Sequence, residues 1–180
     1  MVYLFLANGF EEVEALTPLD YLRRCEDVKV KSVSIEGRLV TGAHKITVMA
    51  DLLLDEVDLE EAEMIILPGG MPGTLHLEQC ERLQKIIDQC AAKNIFIGAI
   101  CAAPSILGHK GLLEGKTATC YIGFDTQLSG AKYTGAPVER DGNIITARGA
   151  GVANQFAFEL IKALRGEEKA NAVQAAVLWE

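Results

Sequence analysis

Cys101 stands at the end of an apolar run, Ile95 to Ile100, and three residues before Pro104, where a helix can begin. A nucleophile on a sharp strand-to-helix turn needs small neighbours two positions away on either side. Ala99 and Ala103 occupy those positions. Such a turn aims the sulfur at a helix N-terminus, whose dipole and free N–H groups favour thiolate over thiol. On that ground Cys101 is expected to titrate below the ordinary cysteine value of about 8.5. The same N–H groups could hold an oxyanion or an oxidised sulfur. The chemistry read from this element is that of a reactive cysteine on a nucleophile elbow, although an isolated cysteine is more commonly an inert core residue.

Two further segments could serve it. Pro68-Gly69-Gly70 follows the short apolar run Met64 to Leu67. Glycine there lets a backbone N–H approach a substrate oxygen, although a plain strand-to-loop turn has the same composition. Glu11, Glu12 and Glu14 crowd the start of the first helical segment. Acidic residues in a first turn commonly just complement the helix dipole. A carboxyl aimed at a thiolate would instead keep its proton, because two adjacent anions repel. The spacing does not decide which of the three does so. Gly149-Ala150-Gly151 precedes a helical segment but fits no dinucleotide or P-loop pattern. His76 and His109 read as surface or cap residues, and Cys120 as core.

The elements that must position these residues alternate between strand-length apolar runs and helical periodicity, the pattern of βαβ units on a parallel sheet. Strands are predicted over Val2 to Ala7, from Val28 to Ile35, as a short pair within Val40 to Met49, and over Met64 to Leu67. The run Ile95 to Ile100 reads as a central strand buried on both faces. Shorter strands are expected near Thr117, Val138 and Ile144, with Asp141-Gly142 as a hairpin turn. Helices are predicted over Glu12 to Arg24, Leu77 to Lys93, Pro104 to His109, Ala153 to Leu164 and Lys169 to Val177. The chain reads as one domain, residues 1–180, of three layers.

Composition bounds the function. Apolar residues make up 49% and charged residues 23%, a balance that builds a core. The net charge of −8, with no basic cluster beyond Arg23-Arg24, argues against a nucleic-acid partner. No apolar run approaches the ~20 residues needed to span a bilayer. Met1 to Ala7 shows no basic leader, so a cytoplasmic location and no membrane partner are expected. Five cysteines without a C-x-x-C pair, and three scattered histidines, suggest neither a disulfide framework nor a metal site. No cofactor is expected.

Four segments together resemble the ThiJ/PfpI superfamily, and within it the DJ-one branch of parkinsonism-associated deglycases and their bacterial relatives. They are Ala7 to Glu14, Leu67 to Gly70, Ala99 to Pro104 and Arg148 to Gly151. The resemblance runs in order along essentially the whole chain. It implies a flavodoxin-like three-layer α/β/α sandwich with a mostly parallel central sheet, and a homodimer. It implies that Cys101 is the oxidation-prone nucleophile and Glu14 the carboxyl hydrogen-bonded to it. Gly70 and Ala102 would supply oxyanion N–H groups, with Gly69 beside them in the substrate-binding set. The activities implied are glyoxalase or deglycase chemistry on small reactive carbonyls or glycated substrates; the alternative is a redox-sensing or chaperone-like stress protein whose Cys101 is oxidised to a sulfinate. Two positions depart from the pattern. Ala102 stands where the protease-like branch has histidine, which argues against peptidase chemistry, and Cys120 stands in the apparent place of another family histidine.

Overall fold

The computed structural model describes residues 1–180. Its strands, in chain order, are β1 (Val2–Leu6), β2 (Val30–Ser34), β3 (Leu39–Thr41), β4 (Thr47–Met49), β5 (Leu52–Leu53), β6 (Met64–Leu67), β7 (Phe96–Ile100), β8 (Thr117–Ala118), β9 (Lys132–Tyr133), β10 (Val138–Asp141) and β11 (Ile144–Ala147). Seven of them form one sheet in the order β10-β11-β7-β6-β1-β2-β5, while β3 pairs with β4 and β8 with β9. Every pairing in the large sheet is parallel except β10 with β11. The helices are α1 (Glu12–Arg23), α2 (Gly73–Gln79), α3 (Glu81–Ala92), α4 (Pro104–His109), α5 (Ala153–Arg165) and α6 (Glu167–Ala176).

Successive side chains of a strand point to opposite faces, and β1 shows what that requires of a central strand. Val2, Leu4 and Leu6 enter a core with Leu19 and Leu22 of α1, Phe156 and Leu160 of α5, and Val173 of α6. Tyr3, Phe5 and Ala7 enter a second core with Leu77 of α2, Leu83 and Ile87 of α3, and Leu107 of α4. Both faces are therefore covered, which is why β1, β6 and β7 read as unbroken apolar runs. Fully burying one such side chain stabilises by about 1.5–3 kcal/mol. Gly98 in β7 is small by necessity, since a Cβ there would sit 2.8 Å from Leu160 Cδ2 and 3.1 Å from the Phe156 ring. This is the mostly parallel three-layer sandwich expected from the sequence. No helix is long and apolar enough to cross a membrane.

The differences from the sequence reading are local. The helix expected over Leu77 to Lys93 is two helices, broken where Cys80 takes an extended backbone at φ −77°, ψ 95°. No proline or glycine marks that break. It lets both Leu77 and Leu83 reach the core, and the Gln84 amide donates to the Leu77 carbonyl at 3.0 Å in place of the lost helical bond. The hairpin turns on Gly142-Asn143 rather than Asp141-Gly142, because Asp141 still pairs with Ile144; Gly142 supplies the required positive φ, +64°. Strands β5 and β9 are additions to the sequence reading.

The carboxyl ends of β1, β6, β7 and β11 lie side by side, with Leu67 paired to Ala99 and Ile100 to Ala147. Open α/β sheets bind their ligands at this edge.

Candidate active site

Cys101 leaves β7 in the left-handed region, at φ +65°. A non-glycine residue there costs of order 1–3 kcal/mol, so the surroundings must impose it. They do: its N–H donates to the Ala147 carbonyl at 2.8 Å, and its own carbonyl accepts the Tyr121 N–H at 2.8 Å. Ala103 N–H returns to the Ile100 carbonyl at 3.1 Å, closing the turn into α4. Ala102 and Ala103 are buried, and overpacking a buried site costs about 1–3 kcal/mol.

Glu14 comes to the cysteine from α1. It is 1% exposed, and its Oε2 accepts the Gly69 N–H at 3.0 Å. The Gly69 carbonyl in turn accepts the Glu11 N–H at 2.9 Å. The glycine turn after β6 is thus strapped to the first turn of α1 at both its polar ends. A Cβ on Gly69 would fall 2.6 Å from both Glu14 Oε2 and Cys101 Cβ, so glycine is required there. Gly70, at φ +91°, is equally constrained, since a Cβ would meet the Glu11 N–H at 2.3 Å.

Burial pushes the Glu14 carboxyl up to about 7, against the opposing hydrogen bonds to Cys101 and Gly69. Burial, and then the charge and hydrogen bond of Glu14, push the Cys101 thiol up as well; the Ala102 and Gly70 N–H groups pull the other way. The direction is opposite to that expected from a helix N-terminus alone. Desolvation disfavours the anion more than a six-residue helix can favour it. The two groups therefore titrate as a pair, and a thiolate is best accommodated when Glu14 carries the proton. Gly69 and Gly70, grouped together in the sequence reading, act on different groups: the Gly69 N–H donates to the Glu14 carboxyl, while the Gly70 N–H lowers the pKa of the Cys101 thiol.

A cleft of about 330 Å³ opens over the pair, walled by Glu11, Met71, Ala102, Tyr121, Phe124 and Ala150. None of the three histidines lines it. His76 Nδ1 bonds the Asn8 carbonyl at 2.9 Å, and His109 pairs with Glu78. Cys120 is buried, and burial pushes its thiol up to about 11.

The three glutamates prove to have three settings. Glu14 meets the sulfur and Glu11 stands at the rim of the cleft. Glu12, 4% exposed, holds the β3–β4 hairpin. Its Oε1 accepts the His44 and Ile46 N–H groups at 2.8 and 3.3 Å, and its Oε2 meets His44 Nδ1 at 2.9 Å. Burial alone would raise the Glu12 pKa, but these hydrogen bonds hold it below the usual carboxylate range, while the bond to Glu12 raises that of His44. Glu11, Glu12 and His44 bring one ligand atom each within 4.8 Å of one another. The hydrogen bonds within the cluster account for it as a latch. Nothing in the sequence joined residues 32 positions apart.

The DJ-1/PfpI family model matches residues 1–163. The chain belongs to that family. It is 38% identical over 172 residues to Protein DJ-1 homolog B of Arabidopsis thaliana, a match covering 94% of this chain but 39% of that longer protein. It is 34% identical over 167 residues to a deglycase of Thermococcus kodakarensis, covering 91% of this chain and 99% of the relative. Among solved structures, oxidized DJ-1 of Toxoplasma gondii superposes with a TM-score of 0.94 at 32% identity, covering 99% and 97% of the two chains. That DJ-1 thus shares this sandwich from end to end.

Proposed function

We propose that the chain acts on small reactive carbonyls or their adducts through Cys101, with Glu14 as proton partner. The observation that carries this reading is a buried carboxyl, pushed up to about 7, against a half-buried cysteine at the carboxyl edge of the sheet. A general acid or base works best with a pKa near the working pH. The sulfur adds to the aldehyde carbon of an α-oxoaldehyde, and the proton needed by the resulting alkoxide comes from Glu14. The Gly70 and Ala102 N–H groups stabilise the oxygen while it is charged. Glu14 then moves the carbon-bound proton from C1 to C2, which leaves a thioester that water cleaves to a 2-hydroxy acid and the free thiol. No external oxidant is required, since C1 is oxidised as C2 is reduced. The deglycase name of a relative that matches this chain along its own whole length supports the substrate class. We take the assembly to be a homodimer, as the family resemblance implies.

The test is lactate formation from methylglyoxal. Cys101→Ala is expected to abolish it, and Glu14→Gln to lower it by on the order of 10²–10⁴, the usual range for a positioned proton carrier. Turnover in Cys101→Ala equal to wild type would sink the enzymatic reading. A second reading, redox sensing through oxidation of Cys101, is favoured by one feature: no imidazole lines the cleft to assist a demanding proton transfer. It gives wild type that forms no lactate yet oxidises selectively at Cys101.

A further inference from the structure

Tyr121 and Ala150 wall the cleft over Cys101 on one side. A second groove of about 480 Å³ lies against the same two residues and is walled further by Ile122, Tyr133 and Arg148. A Cβ on Gly149 would lie 3.5 Å from the Tyr121 ring and 3.9 Å from Glu14 Oε1. The segment carrying Arg148 therefore touches both the wall between the two spaces and the proposed proton carrier.

Arg148 differs from every other arginine. Arg23, Arg24, Arg38, Arg82, Arg140 and Arg165 each form an ion pair. Arg148 forms none; its backbone N–H donates to the Pro137 carbonyl at 3.1 Å, and its guanidinium has no protein partner. The chain carries 25 acidic residues against 17 basic ones, so an arginine without a carboxylate is not explained by a shortage of acids. A surface arginine can simply be solvated, but this one is exposed beside two exposed tyrosines in a groove that shares Tyr121 and Ala150 with the cleft over the reactive cysteine.

We propose that this groove holds the distal part of the carbonyl substrate and that Arg148 selects a carboxylate there. The inference rests on the carbonyl chemistry proposed for Cys101. One guanidinium matches one carboxylate in a bidentate fork. A phosphate dianion would be left half-neutralised, because no second cation lines the groove. The faces of Tyr121 and Tyr133 suit a short aliphatic or planar linker. The substrate class is thus a reactive carbonyl compound that carries a free carboxylate on its distal part.

Binding at this subsite can be read without turnover by labelling Cys101 with 6-maleimidohexanoic acid or its amide at low ionic strength, with mass-resolved rates. Wild type is expected to react about fivefold faster with the acid, the scale of one exposed ion pair. Arg148→Ala should bring the ratio to one or below, and Arg148→Lys should keep part of it. An acid-to-amide ratio unchanged in Arg148→Ala would overturn the proposal, as would an Arg148→Ala protein that loses the wild-type oligomeric state, since the groove would then be an interface. Failure of both reagents to label Cys101 while other cysteines react would instead overturn the reading of Cys101, and the subsite with it.

Discussion

Glu14 and Cys101 face one another with no space for a side chain between them: a Cβ on the intervening Gly69 would lie 2.6 Å from an atom of each. The strap that holds Gly69, carbonyl to Glu11 and N–H to Glu14, makes this approach a property of three strand ends and not of a mobile loop.

Gly69→Ala should therefore harm both the fold and the pair. Overpacking a tight site costs about 1–3 kcal/mol, which for a chain of this size lowers Tm by several degrees. Thermal unfolding should show that loss, and Cys101 alkylation should slow beside it. Unchanged Tm together with unchanged Cys101 reactivity would mean that the gap is wider than described.

Glu14 should make stability depend on pH in an unusual direction for a carboxyl. Its folded pKa, about 7, lies above the ordinary 4.5. Between those values the folded state binds more protons than the unfolded one, so this contribution is fully present below about 4.5 and lost as pH rises through 7. It amounts to about 3 kcal/mol at most. Glu14→Gln mimics the protonated acid and should gain on wild type between pH 5 and pH 8. Denaturant midpoints at the two pH values measure this, and a constant difference between the proteins would contradict it.

Glu12→Ala should separate the latch from the chemistry. Removing the carboxylate takes the acceptor from the His44 and Ile46 N–H groups, which water can reach on this exposed hairpin, a loss of about 0.5–1.5 kcal/mol per bond. Amide exchange should accelerate across residues 42–49, while Cys101 alkylation stays near the wild-type rate. The reverse pattern would place Glu12 in the site.

What could be read without coordinates follows from the range of the interactions. The elbow at Cys101 is a local affair of Ala99, Ala103 and Pro104, and the apolar runs of β1, β6 and β7 announce strands covered on both faces. The direction of the Cys101 thiol was missed because burial is set by elements far along the chain, among them Glu14 and Gly69. The choice among Glu11, Glu12 and Glu14 was open for the same reason: it turns on His44 and on the glycine turn after β6. Arg148 entered the sequence reading only within the segment Arg148 to Gly151; its lack of a carboxylate partner shows only against the six arginines that have one.

The most direct test of the pair is site-resolved oxidation by mild peroxide. A sulfinate persists only where something stabilises it. Here the Ala102 and Gly70 N–H groups face the sulfur, and a protonated Glu14 can donate a charge-assisted hydrogen bond to a sulfinate oxygen. Two equivalents of peroxide take the thiol to sulfenic and then sulfinic acid, each reduced to water. Mass spectrometry of wild type should show two added oxygens on Cys101, few beyond that, and slower reaction at Cys25, Cys80, Cys90 and Cys120. Glu14→Leu should fold yet give mixtures that run on to sulfonate or stall at sulfenate. An oxidation pattern in Glu14→Leu identical to wild type would contradict the account, leaving Glu14 a buried acid with no part in the chemistry of Cys101.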